Sequence, residues 1–321
     1  MASLIFIIIQ ILFLPLTIIG ASLVAYKQLA TSRKLGISAT AVEIINGRWA
    51  MDVFGIRKDE PTVKLNRVLP NNSVMGMWFA LLPLYLRYRI TGKNWLYPTV
   101  SKQGDEGLAH LVTVRTLYFD EVITKAKGNI HQFVVMGAGF DTRCYGTLID
   151  SGVACFELDQ TNTQQLKIKL LKKAGIDARH VQFAEVDFAT ENWYEKLAAT
   201  GYDPTKRTLF LWEGVTLYLS ERDVRNTLQD MKANSAAGSI VVADFYALGF
   251  VTGDLFPSMK SSLQVLKITD EKFGFGLDFA RDHASSLATF VECEGWQMGD
   301  TYFMGEKTQK GAWMVVAELT T

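Results

Sequence analysis

Cysteine is scarce: Cys144, Cys155 and Cys293 are the three in 321 residues. An odd number without C-x-x-C spacing argues against a disulfide framework and a cysteine-bound zinc site, so the chain reads as reduced and intracellular. Histidine is nearly as rare. His110, His131, His180 and His283 stand singly, with no H-E-x-x-H or comparable pattern, and no metal is expected. Charge of one sign is not in excess, with 33 Lys plus Arg against 33 Asp plus Glu. No dense basic cluster occurs either, so nucleic acid is not an expected partner. Internal repeats and low-complexity linkers are missing too. Hydrophobic residues are plentiful at 49%, enough for one large α/β domain with additions or for two small domains.

No charge occurs from Met1 to Tyr26. As a helix, this run is long enough to cross a hydrocarbon core of about 30 Å. No Lys or Arg precedes it, unlike a cleaved signal peptide. Lys27, Arg33 and Lys34 follow it, which places the rest of the chain in the cytosol by the positive-inside rule. The expectation is a transmembrane anchor at 1–26, holding a single-pass protein to the membrane through residues 2–26. Pro15 would kink that helix without forbidding insertion. The alternative is an apolar helix packed on its own domain or on a partner. A second apolar stretch, Ser73 to Leu86, ends in Arg87, Arg89 and Lys93, and its length of about fourteen residues suits an interfacial or buried helix.

Residues 27–129 read as a helical prelude or cap, including "ATAVEIINGRWAMDVF". From 130 to 321, short apolar strands alternate with amphipathic segments, which implies a doubly wound α/β sheet, mainly parallel, with helices on both faces. Strands are expected at His131 to Met136, Val153 to Leu158, Val181 to Val186, Thr208 to Trp212 and Ser239 to Phe245. Helices are expected at Thr161 to Ala174, Asn192 to Ala199, Glu221 to Ala233 and Leu277 to Glu294. Two further strand-like runs between Gly295 and Leu319, joined by "EKTQKG", predict a terminal antiparallel hairpin.

Ligands of such folds sit outside the carboxyl ends of the strands. The first strand leads into Gly137-Ala138-Gly139, where small residues let backbone amides approach a ligand. Glu157 and Asp159 follow the second strand and could accept from ribose hydroxyls. Asp187 and Phe188 follow the third, suited to an adenine amine and ring. Glu213 follows the fourth, suited to an ammonium group. The glycine turn alone fits a dinucleotide, S-adenosyl-L-methionine or an ordinary tight turn. Thr142 stands where a dinucleotide turn has its third glycine, with Asp141 before it. Several acids would repel a pyrophosphate but are acceptable beside a sulfonium and an ammonium, which favours S-adenosyl-L-methionine over NAD(P).

The strings "RTLYFDEVI", "VVMGAGFDTRCYG", "FELDQTNTQQLK", "VDF" and "LFLWEGVTLYLS", in this order, resemble the leucine carboxyl methyltransferase superfamily and its bacterial branch of S-adenosyl-L-methionine-dependent O-methyltransferases. The similarity runs over roughly residues 38 to 318 and is strong from Arg115 to Leu219. It implies a class I methyltransferase (Rossmann-like) sheet, for which a terminal hairpin is usual. It also implies that Arg115 pairs with the cofactor carboxylate, Gly137 and its loop with Gly139 contact the methionine part, and Asp141 lies in the family's "DTR" string. Asp159 would hold the ribose, Asp187 and Phe188 the adenosine end, and Glu213 the region near the reacting methionine. Glu157 is second choice to Asp159. Gly146 replaces a common arginine and Thr161 a usual proline, departures that bear on the acceptor. A small, apolar acceptor is expected between the prelude and Tyr246 to Gly276, with a protein C-terminal carboxylate less favoured. Asp244, Tyr246, Tyr218 and His283 are candidate bases, and none is assigned the role. An oxidoreductase and a catalytically silent membrane-associated relative are the alternatives.

Overall fold

The structure, a computed structural model, describes residues 2–97, 99–100, 102–268 and 271–321. Helix α1 (Ala2–Tyr26) runs through a π-helical stretch, Lys27–Thr31, into α2 (Ser32–Leu35). Gly36, with φ at 61°, ends it in the left-handed region that glycine enters most readily. Side-chain caps then start three helices. The Ser38 hydroxyl accepts from the Ala41 amide at the head of α3 (Ala39–Val53), and the Asp59 carboxylate accepts from Thr62 at α4 (Glu60–Val68). Ser73 accepts from Gly76 at α5 (Val74–Thr91). Helix α6 (Leu111–Ala126) leads into the sheet.

Seven strands follow: β1 (Gln132–Met136), β2 (Ala154–Asp159), β3 (Val181–Glu185), β4 (Thr208–Trp212), β5 (Ile240–Tyr246), β6 (Gln297–Met304) and β7 (Met314–Thr320). Between them lie α7 (Thr161–Ala174), α8 (Trp193–Ala198), α9 (Glu221–Ala233), α10 (Leu248–Val251), α11 (Pro257–Ile268) and α12 (His283–Cys293). The sheet order is β3-β2-β1-β4-β5-β7-β6. Strands β1 to β5 pair in parallel, while β7 pairs antiparallel with both β5 and β6. Every residue of β1 and β4 is buried, as expected of central strands covered on both faces. The order reverses between β1 and β4, and folds of this kind take their ligands at the carboxyl ends of the two strands beside such a reversal.

Two expectations are corrected. The helix expected from Leu277 begins only at His283, because the Leu277 amide donates to the Tyr246 carbonyl at 2.8 Å and Asp282 caps the helix by accepting from Ser285. The apolar segment from Ser73 is an 18-residue helix reaching Thr91. Its tyrosines carry the packing stripe in among the arginines: Trp78 meets Trp49 edge-on at 5.4 Å between centroids, and Tyr85 and Tyr88 meet Phe54 at 6.0 and 5.6 Å. Helix α1 lies antiparallel along α5. A Cβ on Gly20 would fall 2.4 Å from the Gly76 carbonyl oxygen, and the ring of Phe6, near the other end, lies tilted to that of Trp95 with 6.4 Å between centroids. The described helical segment Ile9–Leu35 is long and apolar enough to cross a membrane by length and composition, and it is mostly exposed.

Candidate functional site

Strand β1 ends in a turn with Gly137 at φ 71° and Gly139 at φ 47°. A Cβ on Gly137 would meet Val215 Cγ2 at 2.5 Å, so glycine is needed there for space as well as for conformation. Asp159, at the end of β2, reaches over this turn. Its Oδ2 accepts from the Gly139 amide at 2.5 Å, and Oδ1 accepts from the Gln160 amide at 2.7 Å. Burial raises its pKa, and these two amides pull the other way.

Beside the turn, three arginines meet three acids. Arg115 on α6 is 3% exposed. Its Nη1 donates to Asp244 Oδ2 at 3.1 Å and to the Tyr246 hydroxyl at 2.7 Å, while Nε lies 3.2 Å from Glu213 Oε1. Asp244 also accepts from the Gly214 amide at 2.9 Å and from Tyr246. Glu213 Oε2 accepts from Arg48 at 2.8 Å and Arg143 at 2.6 Å, and Asp141 Oδ2 accepts from the same two guanidiniums at 2.7 and 2.5 Å. Burial opposes the ionisation of Glu213, yet Arg143, Arg48 and Arg115 outweigh it and bring the pKa down to about 2. Asp141 is held well below the usual carboxylate range against the same burial, mainly by Arg143 and Arg48. For Asp244 burial wins over Arg115 and the Gly214 amide, and its pKa rises to about 6.

Arg115, Gly137, Gly139, Asp159 and Glu213 thus come together around the ends of β1, β2, β4 and β5. Asp141 joins through the arginine bridge rather than as a free acid beside the turn. Glu157 does not reach the crevice. It is fully buried one strand period before Asp159, and its carboxylate lies 2.7 Å from Lys167 Nζ, which neutralises it inside the fold. Asp187 is half-buried and folds back to accept from the Ala189 amide at 3.0 Å. Phe188 packs on the main core, and neither residue touches the arginine cluster. Of the candidate bases, His283 is elsewhere, 4.5 Å from the Phe303 ring centroid and 3.6 Å from Glu306. Tyr218 donates to Thr40 at 2.8 Å.

Arg48 escapes the sequence-based reading. Its signal is a lone charge on the stripe Val42, Ile45, Trp49, which is otherwise apolar and buried. The head of α3 is also fastened over the turn: Glu271 accepts from Ser38 Oγ at 2.6 Å and from Thr40 Oγ1 at 3.0 Å. Ala41 on the same helix lies 3.4 Å from where a Gly139 Cβ would be. No group of three or more His, Cys, Asp or Glu among the described residues could hold a metal ion.

Residues 87–232 match the family model described as leucine carboxyl methyltransferase. A protein of Streptomyces avermitilis, provisionally named an S-adenosyl-L-methionine-dependent methyltransferase, is 29% identical over 168 residues, which are 51% of this chain and 59% of that protein. One of Mycolicibacterium vanbaalenii with the same provisional name is 28% identical over 204 residues, 60% of this chain and 64% of its own length. The chain therefore spans little more than half of the first of these relatives. The solved structure of a provisionally assigned methyltransferase from Thermobifida fusca shares the fold, with a TM-score of 0.51 at 12% identity, over 80% of this chain and 92% of that one.

Proposed function

We propose that this chain, matched by the leucine carboxyl methyltransferase family over residues 87–232, is an S-adenosyl-L-methionine-dependent O-methyltransferase that modifies a carboxylate or hydroxyl of a small, apolar acceptor. One observation carries the reading. Arg115 Nε and Glu213 Oε1 are buried side by side beside the glycine turn, and neither makes a hydrogen bond. They face each other as a charge pair at 3.2 Å, and a carboxylate and an ammonium on one carbon, the amino-acid end of S-adenosyl-L-methionine, would give each a hydrogen bond of its own. A pyrophosphate would satisfy only the arginine and would face Glu213, Asp244 and Asp159, which disfavours a nicotinamide cofactor.

The residues fit the cofactor in three further respects. The positive φ of Gly137 and Gly139 turns the chain sharply where a ligand would approach its backbone, Asp159 stands at the end of β2 where ribose hydroxyls would be bound, and Phe188 follows the next strand end. When bound, the cofactor supplies a methyl group activated by a sulfonium. The chain's own task is then alignment and exclusion of water, which the closed head of α3 over the turn supports. A carboxylate acceptor is already an anion at neutral pH and needs no general base. That suits a site whose acids are engaged by arginines. Apolar α1 supports a membrane-held enzyme, and the basic residues Lys27, Arg33 and Lys34 that follow it suit the anionic lipid surface of the cytosolic side.

Incubating the full chain with methyl-tritiated S-adenosyl-L-methionine and a cell extract tests the chemistry. Label should enter extract material and leave it under mild base if methyl esters are formed. Binding of cofactor with no label transferred to any extract fraction would favour a catalytically silent relative.

A further inference from the structure

We infer that α1 does not cross the bilayer but lies along its surface, embedded as a monotopic anchor with its N-terminus on the same side as the rest of the chain. The inference rests on the membrane association proposed above and is independent of the methyl transfer.

Two layers of packing carry it. Helix α5 is held to the end of α3 by side-chain packing, Trp78 against Trp49 and Tyr85 and Tyr88 against Phe54. Helix α1 is in turn fixed along α5. At one end Gly20 and Gly76 bring the two backbones together, with Gly20 so close that a Cβ would overlap the Gly76 carbonyl and the Ala80 amide. At the other end the Arg87 guanidinium stands 4.0 Å from the Phe6 ring centroid and 3.2 Å from that of Trp95. Phe6 and Gly20 are fourteen residues apart, so about 21 Å of α1 is held alongside a helix that belongs to the domain surface. A perpendicular span would need about 30 Å of hydrocarbon around α1 and would carry α5 and its Arg87, Arg89 and Lys93 into it.

The outer side of α1 is built for lipid. Ile7, Ile11, Leu12, Leu14, Ile18 and Ile19 are each at least half exposed. No charge interrupts the helix, and its polar partners lie at both ends: Arg33 and Lys34 are exposed beyond its C-terminus, and Arg89 and Lys93 beside its N-terminus. An apolar strip with cations at either end matches the acyl and phosphate levels of an anionic membrane surface. A second copy of the chain, with the same cations, would set like charges against each other if the strips were paired in parallel.

The test uses the full chain carrying an N-terminal epitope tag, mixed with vesicles of phosphatidylcholine and phosphatidylserine. The chain should float with the vesicles, and added protease should remove the tag. An Ile11→Asp, Leu14→Asp, Ile18→Asp variant should lose flotation about tenfold or more while binding S-adenosyl-L-methionine as before. A tag protected inside the vesicles would overturn the surface geometry and leave the membrane association standing. Failure of the unaltered chain to float, or a dimer in solution that ignores vesicles, would overturn both. Unchanged flotation of the triple variant would remove α1 as the anchor.

Discussion

Glu213 is the residue on which the most charge converges. Three guanidiniums, from Arg48, Arg115 and Arg143, lie within 3.2 Å of its carboxylate. Its pKa falls from an ordinary 4.5 to about 2, so the folded state binds its proton less readily than the unfolded chain does. A depressed carboxylate contributes stability that is complete above about pH 4.5 and is lost as pH falls toward 2. The shift corresponds to roughly 3 kcal/mol. Asp244 works with the opposite sign. Its raised pKa makes the ionised form unfavourable in the fold, a loss that sets in as pH rises from about 4 through 6. Urea midpoints measured from pH 2.5 to 7 should therefore show a steep acid limb that is flattened in Glu213→Gln. An identical limb in that variant would remove Glu213 as its source.

At the scale of elements, the glycine turn after β1 decides whether the crevice can form. Gly137→Ala places a side chain at positive φ and against Val215, which together cost about 2 to 4 kcal/mol. Thermal unfolding should show that loss, and Val215→Ala in the same chain should restore only the part owed to the overlap. Full restoration would mean that φ at Gly137 carries no strain. Much of this level was legible in the sequence. β4, α7 and α9 fall on their expected limits, and β1, β2, β3 and β5 lie within a residue of theirs, because apolar runs and amphipathic spacing are local signals. What was not legible depended on distant partners. Arg48 meets Asp141 and Glu213 across 93 and 165 residues, so nothing near it in the chain announces the bridge. Glu157 reads like Asp159 in sequence, and only the approach of Lys167 from α7 separates an interior ion pair from a crevice acid. The arginines after Leu86 look like a stop, yet Tyr88 keeps α5 on the domain for another turn.

At the scale of the whole molecule, a neutral chain combines an α/β sheet whose order reverses between β1 and β4 with a layered pair of apolar helices on the prelude side. Glu271 and α3 connect the two regions, so the crevice is closed by the same prelude that carries the helical pair. The central claim is that this crevice holds S-adenosyl-L-methionine through Arg115 and Asp159. Isothermal titration of the full chain with S-adenosyl-L-methionine and, separately, with NADH tests it most directly. The account predicts binding of the first and none of the second, with Arg115→Ala about 100-fold weaker, as loss of a charge-assisted pair worth 2 to 3 kcal/mol requires, and Asp159→Ala also weakened. Binding of NADH, or S-adenosyl-L-methionine affinity unchanged in both variants, would contradict it.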